Sequence, residues 1–165
     1  MRKKYLNYIK KFCKIFFYVY LVILLWKLFK ISGPALGNIQ EISENRKLSF
    51  WNLNLMPLKT IADSIKISNY STMILNIIAF IPLGFLYPFV INENKKILTY
   101  LLHFLVFDLL IEIVQFITML GFFDIDDVLL NMLGFLQGFI LYHIIKYIHG
   151  LFFIQEKNHI QLKGE

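Results

Sequence analysis

Four long apolar stretches alternate with short polar ones along the 165-residue chain. The first runs from about Phe12 to Lys30, with IFFYVYLVILLW at its centre. The second, STMILNIIAFIPLGFLYPFVI, covers Ser71 to Ile91. The third runs from about Ile97 to Leu120 and the fourth from about Asp124 to Tyr147. Each comes close to the roughly 20 mostly apolar residues that a helix needs to cross a bilayer. NENKK joins the second to the third and GFFD the third to the fourth. Connections this short predict antiparallel packing of neighbours. Pro82 removes a backbone donor in mid-span and predicts a kink or break there. The pattern predicts an all-α fold: a polytopic four-helix transmembrane bundle, with residues 1–165 forming a single membrane domain. Between the first two spans, Ile31 to Tyr70 is long for a compact bundle and predicts structure of its own. Within it FWNLNLMPLKTI, Phe50 to Ile61, mixes aromatic, amide and apolar residues around Pro57. It is too short to span and predicts an interfacial or re-entrant segment.

Composition agrees with lipid as the solvent. Hydrophobic residues make up 58% of the chain and mean hydropathy is +0.60, more than a soluble domain of this size can hide. The net charge of +6 reads as a topology signal and not as nucleic-acid binding. Arg2, Lys3, Lys4, Lys10, Lys11 and Lys14 precede or open the first span. Lys95 and Lys96 sit between spans two and three, and Lys146, Lys157 and Lys163 follow the fourth. The connection between spans three and four has no base and ends in Asp124, Asp126 and Asp127. By the positive-inside rule both termini are cytoplasmic, and that acidic turn lies outside together with the loop 31–70. Arg46, Lys47, Lys59 and Lys66 weaken the bias, but Glu41, Glu44 and Asp63 accompany them. A cleaved signal peptide is the rival reading of the first span, with ALG at Ala35 to Gly37 as a weak cleavage site; Lys27 and Lys30 between the two favour a retained span. The lone Cys13 excludes an internal disulfide. No zinc-finger spacing, Walker loop or dinucleotide fingerprint is present, and no cofactor or metal is expected.

The polar residues inside the oily stretches carry the functional signal. At 100° per residue, Asp108, Glu112, Gln115 and Met119 form one helical stripe. Asp124, Asp127, Asn131, Gly134 and Gly138 form another on the fourth span. With the topology above, Glu112 lies roughly 12 Å below the outer end of its span, and Asn131 roughly 10 Å below the top of its own. Asn76, Glu112, Gln115, Asp127 and Asn131 then share the outer half of the membrane and converge on one outward pocket. Intramembrane acids mark functional sites by default. Simpler readings stand beside this one. Asp124 reads equally as an N-cap and Asp127 as a capping-box acid. Asp126 points away from the stripe and reads as solvated. Asn76 and Gln115 read equally as interhelical hydrogen-bonding groups, and the small-xxx-small pair in GFLQG reads as a packing seam, within one chain or in a homo-oligomer. Arg46 is the natural cation for the acids, immediately before a segment that could fold over the opening.

Three segments in order resemble the VanZ-like family. RKLSFWNLNLMPLKTI is similar to that family's Arg…Asn-Leu-x-Pro-Phe segment, through Arg46, Asn54, Leu55, Pro57 and Leu58. NIIAFIPLG matches its Asn-x-x-x-Phe-x-Pro-x-Gly stretch through Asn76, Phe80, Pro82 and Gly84. EIVQFITMLGFFDIDDVLLNMLG matches its block of Glu112, Gln115, Gly121, Asp124, Asp127, Asn131 and Gly134. Leu58 stands where the family has Phe, and Asp108 and Asp126 have no clear family place. The resemblance implies an integral membrane protein of Gram-positive-type bacteria that contributes to resistance to teicoplanin and similar lipoglycopeptides. With it, the ligand-binding set becomes Arg46, Asn54, Asn76, Glu112, Gln115, Asp124, Asp127 and Asn131; no catalytic role is carried over.

Three functions compete. A binding protein would hold a lipoglycopeptide or a lipid-linked wall precursor in the outward pocket. An enzyme acting on an envelope lipid or wall precursor would use the carboxylates as acid and base, or around a divalent metal, although no nucleophile motif accompanies them. A proton-coupled transporter would relay protons through the acids, but four spans without a repeat suit transport poorly.

Overall fold

A computed structural model describes residues 2–31, 53–91, 95–118 and 123–162, with only the helical backbone for 2–6, 30–31 and 151–162. Five helices and one short bridge make up these residues: α1 (Arg2–Ile31), β1 (Leu53–Asn54), α2 (Lys59–Lys66), α3 (Ser71–Val90), α4 (Ile97–Ile117), β2 (Phe123–Asp124) and α5 (Ile125–Leu162). Four are long and apolar enough to cross a membrane, over Asn7–Phe29, Ser71–Val90, Ile97–Ile117 and Ile125–Gly150. These are the four expected spans. The third ends earlier than the sequence suggested, at Ile117, where Thr118 turns its hydroxyl back to the Val114 carbonyl at 2.6 Å. The fourth helix continues well beyond Tyr147, to Leu162.

The bundle is organised around α5. It packs most extensively on α3, while α1 leans on α3 and α4 on α5. Three glycines explain the α3–α5 contact. A Cβ on Gly134 would collide with the Ile77 carbonyl, one on Gly138 with the Ile81 carbonyl, and one on Gly84 with the Phe135 carbonyl. Successive turns of α5 meet successive turns of α3, so the two helices run in the same direction, with α4 returning between them in sequence. Without large desolvation forces between helices in lipid, this backbone-to-backbone fit is what association depends on. The GFLQG seam is therefore an intramolecular contact.

Aromatic side chains fill the remaining space. Phe104 stacks on Phe135 with centroids 4.1 Å apart, and Phe80 meets Phe104 edge-on at 5.6 Å. Tyr87 turns its ring edge-on to both Tyr100 and Phe135. α1 contributes Phe17 and Leu24 to this core and leaves most of its surface exposed, as suits a helix bordered by lipid.

Pro82 does not break its helix. α3 is continuous from Ser71 to Val90 with Pro82 and Pro88 inside it. Membrane helices tolerate proline when neighbours supply polar groups to the disturbed turn. Here the Tyr20 hydroxyl of α1 donates to the Ala79 carbonyl at 2.9 Å.

The described part of the connection between α1 and α3 folds against the start of α5. β1 pairs in parallel with β2, Leu53 opposite Phe123 and Asn54 opposite Asp124. α2 follows after a turn and touches α5. None of its residues is buried, so it lies on the bundle and not inside it.

Candidate functional site

The sequence -DIDD- at the head of α5 sends its three carboxylates in three directions. Asp124 is the residue before the helix, and its Oδ1 accepts the Asp126 N–H at 2.9 Å, the N-cap bond that orphaned first-turn amides call for. The same carboxylate gathers the incoming segment. Asn54 donates through Nδ2 to Asp124 Oδ1 at 2.9 Å and to Thr60 Oγ1 at 2.7 Å, and the Thr60 hydroxyl donates to Asp124 Oδ2 at 2.6 Å. The N-cap role and the site role thus coincide in one residue.

Asp126 corrects the expectation of a solvated side chain. It is fully buried. Its Oδ1 accepts the N–H of Leu58 at 2.6 Å and its Oδ2 the N–H of Ile61 at 3.2 Å. Leu58 is the N-cap of α2 and Ile61 its third residue, the two amides that a capping box would satisfy from within the helix. One acid on α5 caps both, and its negative charge faces the positive end of the α2 dipole. A helical wheel places Asp126 away from the bundle stripe correctly. It does not show that a segment arriving from 68 residues upstream covers that side.

Asp127 turns toward α3, where Asn76 Nδ2 donates to its Oδ1 at 2.6 Å. One turn deeper, Asn131 Nδ2 donates to Asp108 Oδ1 at 3.0 Å and ties α5 to α4. Asp108 is fully buried and Asn131 nearly so. Asp108 Oδ2 and Asn131 Oδ1 have no protein partner among the described residues. Asp108, an acid without a clear family place, is thereby a direct neighbour of the predicted Asn131. Glu112 lies one turn beyond Asp108 on the same face of α4. It is buried, and its Oε2 accepts the Asp124 N–H at a long 3.5 Å. Glu112, Asp108, Asp124 and Asp127 are close enough for their charges to interact.

Gln115 is buried on the same stripe, but its Nε2 is directed to the Leu28 carbonyl of α1 at 3.4 Å. It anchors the end of the first span beside the cluster. Arg46, the expected cation, lies outside the described residues, as do Met119 and Gly121. On exposed α2, Lys66 pairs with Asp63 at 3.1 Å. No group of three His, Cys, Asp or Glu among the described residues is arranged to hold a metal ion.

The structure thus brings Asn54, Asn76, Glu112, Asp124, Asp127 and Asn131 together where α4 ends and α5 begins. It adds Thr60, Asp108 and Asp126. Thr60 carries no sequence signal beyond its place in a polar segment; the two acids do carry one, since a carboxylate in an apolar run is costly and needs a reason.

A family model described as VanZ/LLP1 matches residues 17–146. The chain belongs to the VanZ/LLP1 family. The matched region takes in every described residue of the polar cluster, and leaves out the start of α1 and the end of α5. Among relatives, a protein named Protein VanZ from Enterococcus faecium is 38% identical over 128 residues, 75% of this chain and 69% of that one. No solved structure matches. For a VanZ-family chain, the polar cluster is the part of the fold that packing alone does not require: apolar replacements would fill the same volume without burying carboxylates.

Proposed function

We propose that this VanZ-family protein contributes to resistance to teicoplanin-type lipoglycopeptides. In this reading it binds the drug or a lipid-linked wall precursor at the Glu112–Asp127–Asn131 cluster, which faces the cell exterior. The observation that carries it is the gathering of buried acids and amides at one end of a membrane bundle, under a segment latched by Asn54 and Thr60. Carboxylates at that depth are expensive, so their concentration in one place supports a ligand that needs them. Cationic and hydroxyl groups of the ligand are the complementary chemistry, with Arg46 pairing either Glu112 or an anionic headgroup. The termini lie in the cytoplasm in this reading, which the distribution of Lys and Arg supports.

The test is drug susceptibility in cells lacking the protein, complemented by wild type or by Arg46→Ala, Glu112→Ala, Asp127→Ala and Asn131→Ala at matched membrane levels. Wild type restores resistance and the variants do not. Full restoration by Glu112→Ala overturns the site. Labelling of a cysteine introduced at Phe123 by an impermeant reagent on whole cells checks the side; protection until the cells are opened overturns the outward assignment.

A further inference from the structure

Below the acids, a cavity of about 200 Å³ opens between α1, α3 and α4, lined by Phe17, Leu21, Leu83, Tyr87, Phe104 and Phe107. Its position relative to the polar cluster is fixed by helix register. Gln115 meets Leu28 at one level of the α1–α4 seam, and Phe107 and Leu21 lie some two turns further down both helices. Phe104 is two turns, about 12 Å, below Glu112 on the same buried face of α4. The buried face of α4 therefore reads, in order, amide, acid, acid and aromatic cavity: Gln115, Glu112, Asp108, Phe104.

The cavity walls are apolar, and all six residues fall within the candidate spans. An apolar void of about 150 Å³ in a soluble protein stays dry and accepts a hydrocarbon guest; this one is larger and its surroundings are lipid. Phe17, Leu83 and Phe104 are also members of the buried core, so the space belongs to the helix interface and is distinct from the lipid-facing surface of α1. We propose that this cavity holds one hydrocarbon chain of an amphipathic ligand whose polar group sits at the acid cluster above it. The proposal rests on the ligand-binding reading of that cluster and adds the chemical class: a molecule with an ammonium- or hydroxyl-bearing head joined to an alkyl chain. Because the competing environment is bilayer and not water, the cavity gains little from hydrophobic transfer. Its contribution is placement, setting the chain between α1 and α4 so that the head meets Glu112 and Asp127.

The probe is a phosphatidylethanolamine with a diazirine at mid-chain, added to the full-length protein in phosphatidylcholine nanodiscs and mapped by peptide after illumination. Labelling of 17–21 and 104–107 should saturate and yield to unlabelled phosphatidylethanolamine. Leu21→Trp, which fills the half-buried side of the cavity, should weaken it about tenfold, equivalent to about 1.4 kcal/mol. Val22→Trp, on the lipid-exposed side, should leave it unchanged. Leu21→Ala, which cannot clash, should keep labelling and guards against misfolding of the larger variant. Teicoplanin is then added as competitor. Displacement supports both cavity and drug site. Saturable labelling that teicoplanin leaves intact keeps the cavity and counts against drug binding at the cluster. Labelling that never saturates, or that ignores Leu21→Trp, overturns the cavity whatever the susceptibility assay shows.

Discussion

The N–H of Leu58 donates to Oδ1 of Asp126 at 2.6 Å, and Leu58 itself holds a left-handed backbone with φ 67°. The two facts belong together. A left-handed conformation costs a residue with a Cβ roughly 1–2 kcal/mol. The bond to a buried carboxylate, shared with Ile61, holds the chain in the turn that starts α2.

Removing that acceptor should release the segment. Asp126→Ala strips α2 of both capping bonds, and loss of a cap costs about 0.5–2 kcal/mol. The expected outcome is faster amide exchange across Lys59–Lys66, about tenfold for the middle of that range, while α3 and α5 keep their protection. Exchange measured by mass spectrometry checks it. Unchanged exchange in α2 would mean the carboxylate is incidental.

Replacing the strained residue should act in the opposite direction. Leu58 is 59% exposed, so Leu58→Gly loses little packing and relieves the left-handed penalty, a net gain of up to about 1 kcal/mol. α2 amides should exchange more slowly. Leu58→Val, β-branched and worse in this region, should exchange faster than wild type.

The glycine seam gives a prediction with a sign contrast along one helix. Gly134→Ala and Gly138→Ala place a methyl group against backbone carbonyls of α3, which cannot swing aside as a side chain can. Overpacking of this kind costs about 1–3 kcal/mol or more. Both should lower the unfolding temperature in detergent. Gly150, on the same helix, has nothing near its missing Cβ, and Gly150→Ala should be neutral or slightly stabilising through helix propensity.

Much of this architecture is written in the order of residues. The four spans are legible because a bilayer imposes a length and a composition on any helix that crosses it. The α3–α5 seam is legible because Gly134 and Gly138 share a face four residues apart. Asn76, Asp127 and Asn131 are legible as a cluster because depth follows from rise per residue once the orientation of each span is set. Asp126 is not. Periodicity assigns it to the face away from the bundle, and only the tertiary return of Leu58 and Ile61 turns that face into an interior. The partnership of Asp108 with Asn131 is hidden for a related reason: stripes show which way a side chain points, not which helix stands opposite. Pro82 leaves its helix unbroken, and the neighbour that serves its turn is not legible either: Tyr20 on α1, more than fifty residues upstream, donates to the Ala79 carbonyl.

The Asn76–Asp127 contact should show measurable coupling. The two groups bridge α3 and α5 at 2.6 Å, and hydrogen bonds between membrane helices average about 0.6 kcal/mol with a maximum near 1.7. A double-mutant cycle of Asn76→Ala and Asp127→Ala, read by unfolding in detergent, should return a value in that range. Asn76→Asp should be worse than Asn76→Ala, because it sets a second carboxylate against Asp127 where α3 meets α5.

The Asp108–Asn131 pair separates stability from function. Its single hydrogen bond leaves two buried oxygens without a partner among the described residues, so it is a poor device for stability. Asn131→Leu alone should destabilise strongly, since Asp108 then loses its described donor while remaining fully buried; an orphaned buried polar group costs about 1–3 kcal/mol and a charged one more. Asp108→Leu combined with Asn131→Leu removes the demand together with the supply, and apolar replacement of both partners is often neutral or stabilising. The double variant should therefore unfold at a higher temperature than Asn131→Leu. If it also matches wild type in membrane level yet fails to restore drug resistance in complemented cells, the pair serves the ligand and not the fold. If it restores resistance fully, Asn131 leaves the binding set and the proposed cluster contracts to Glu112 and Asp127.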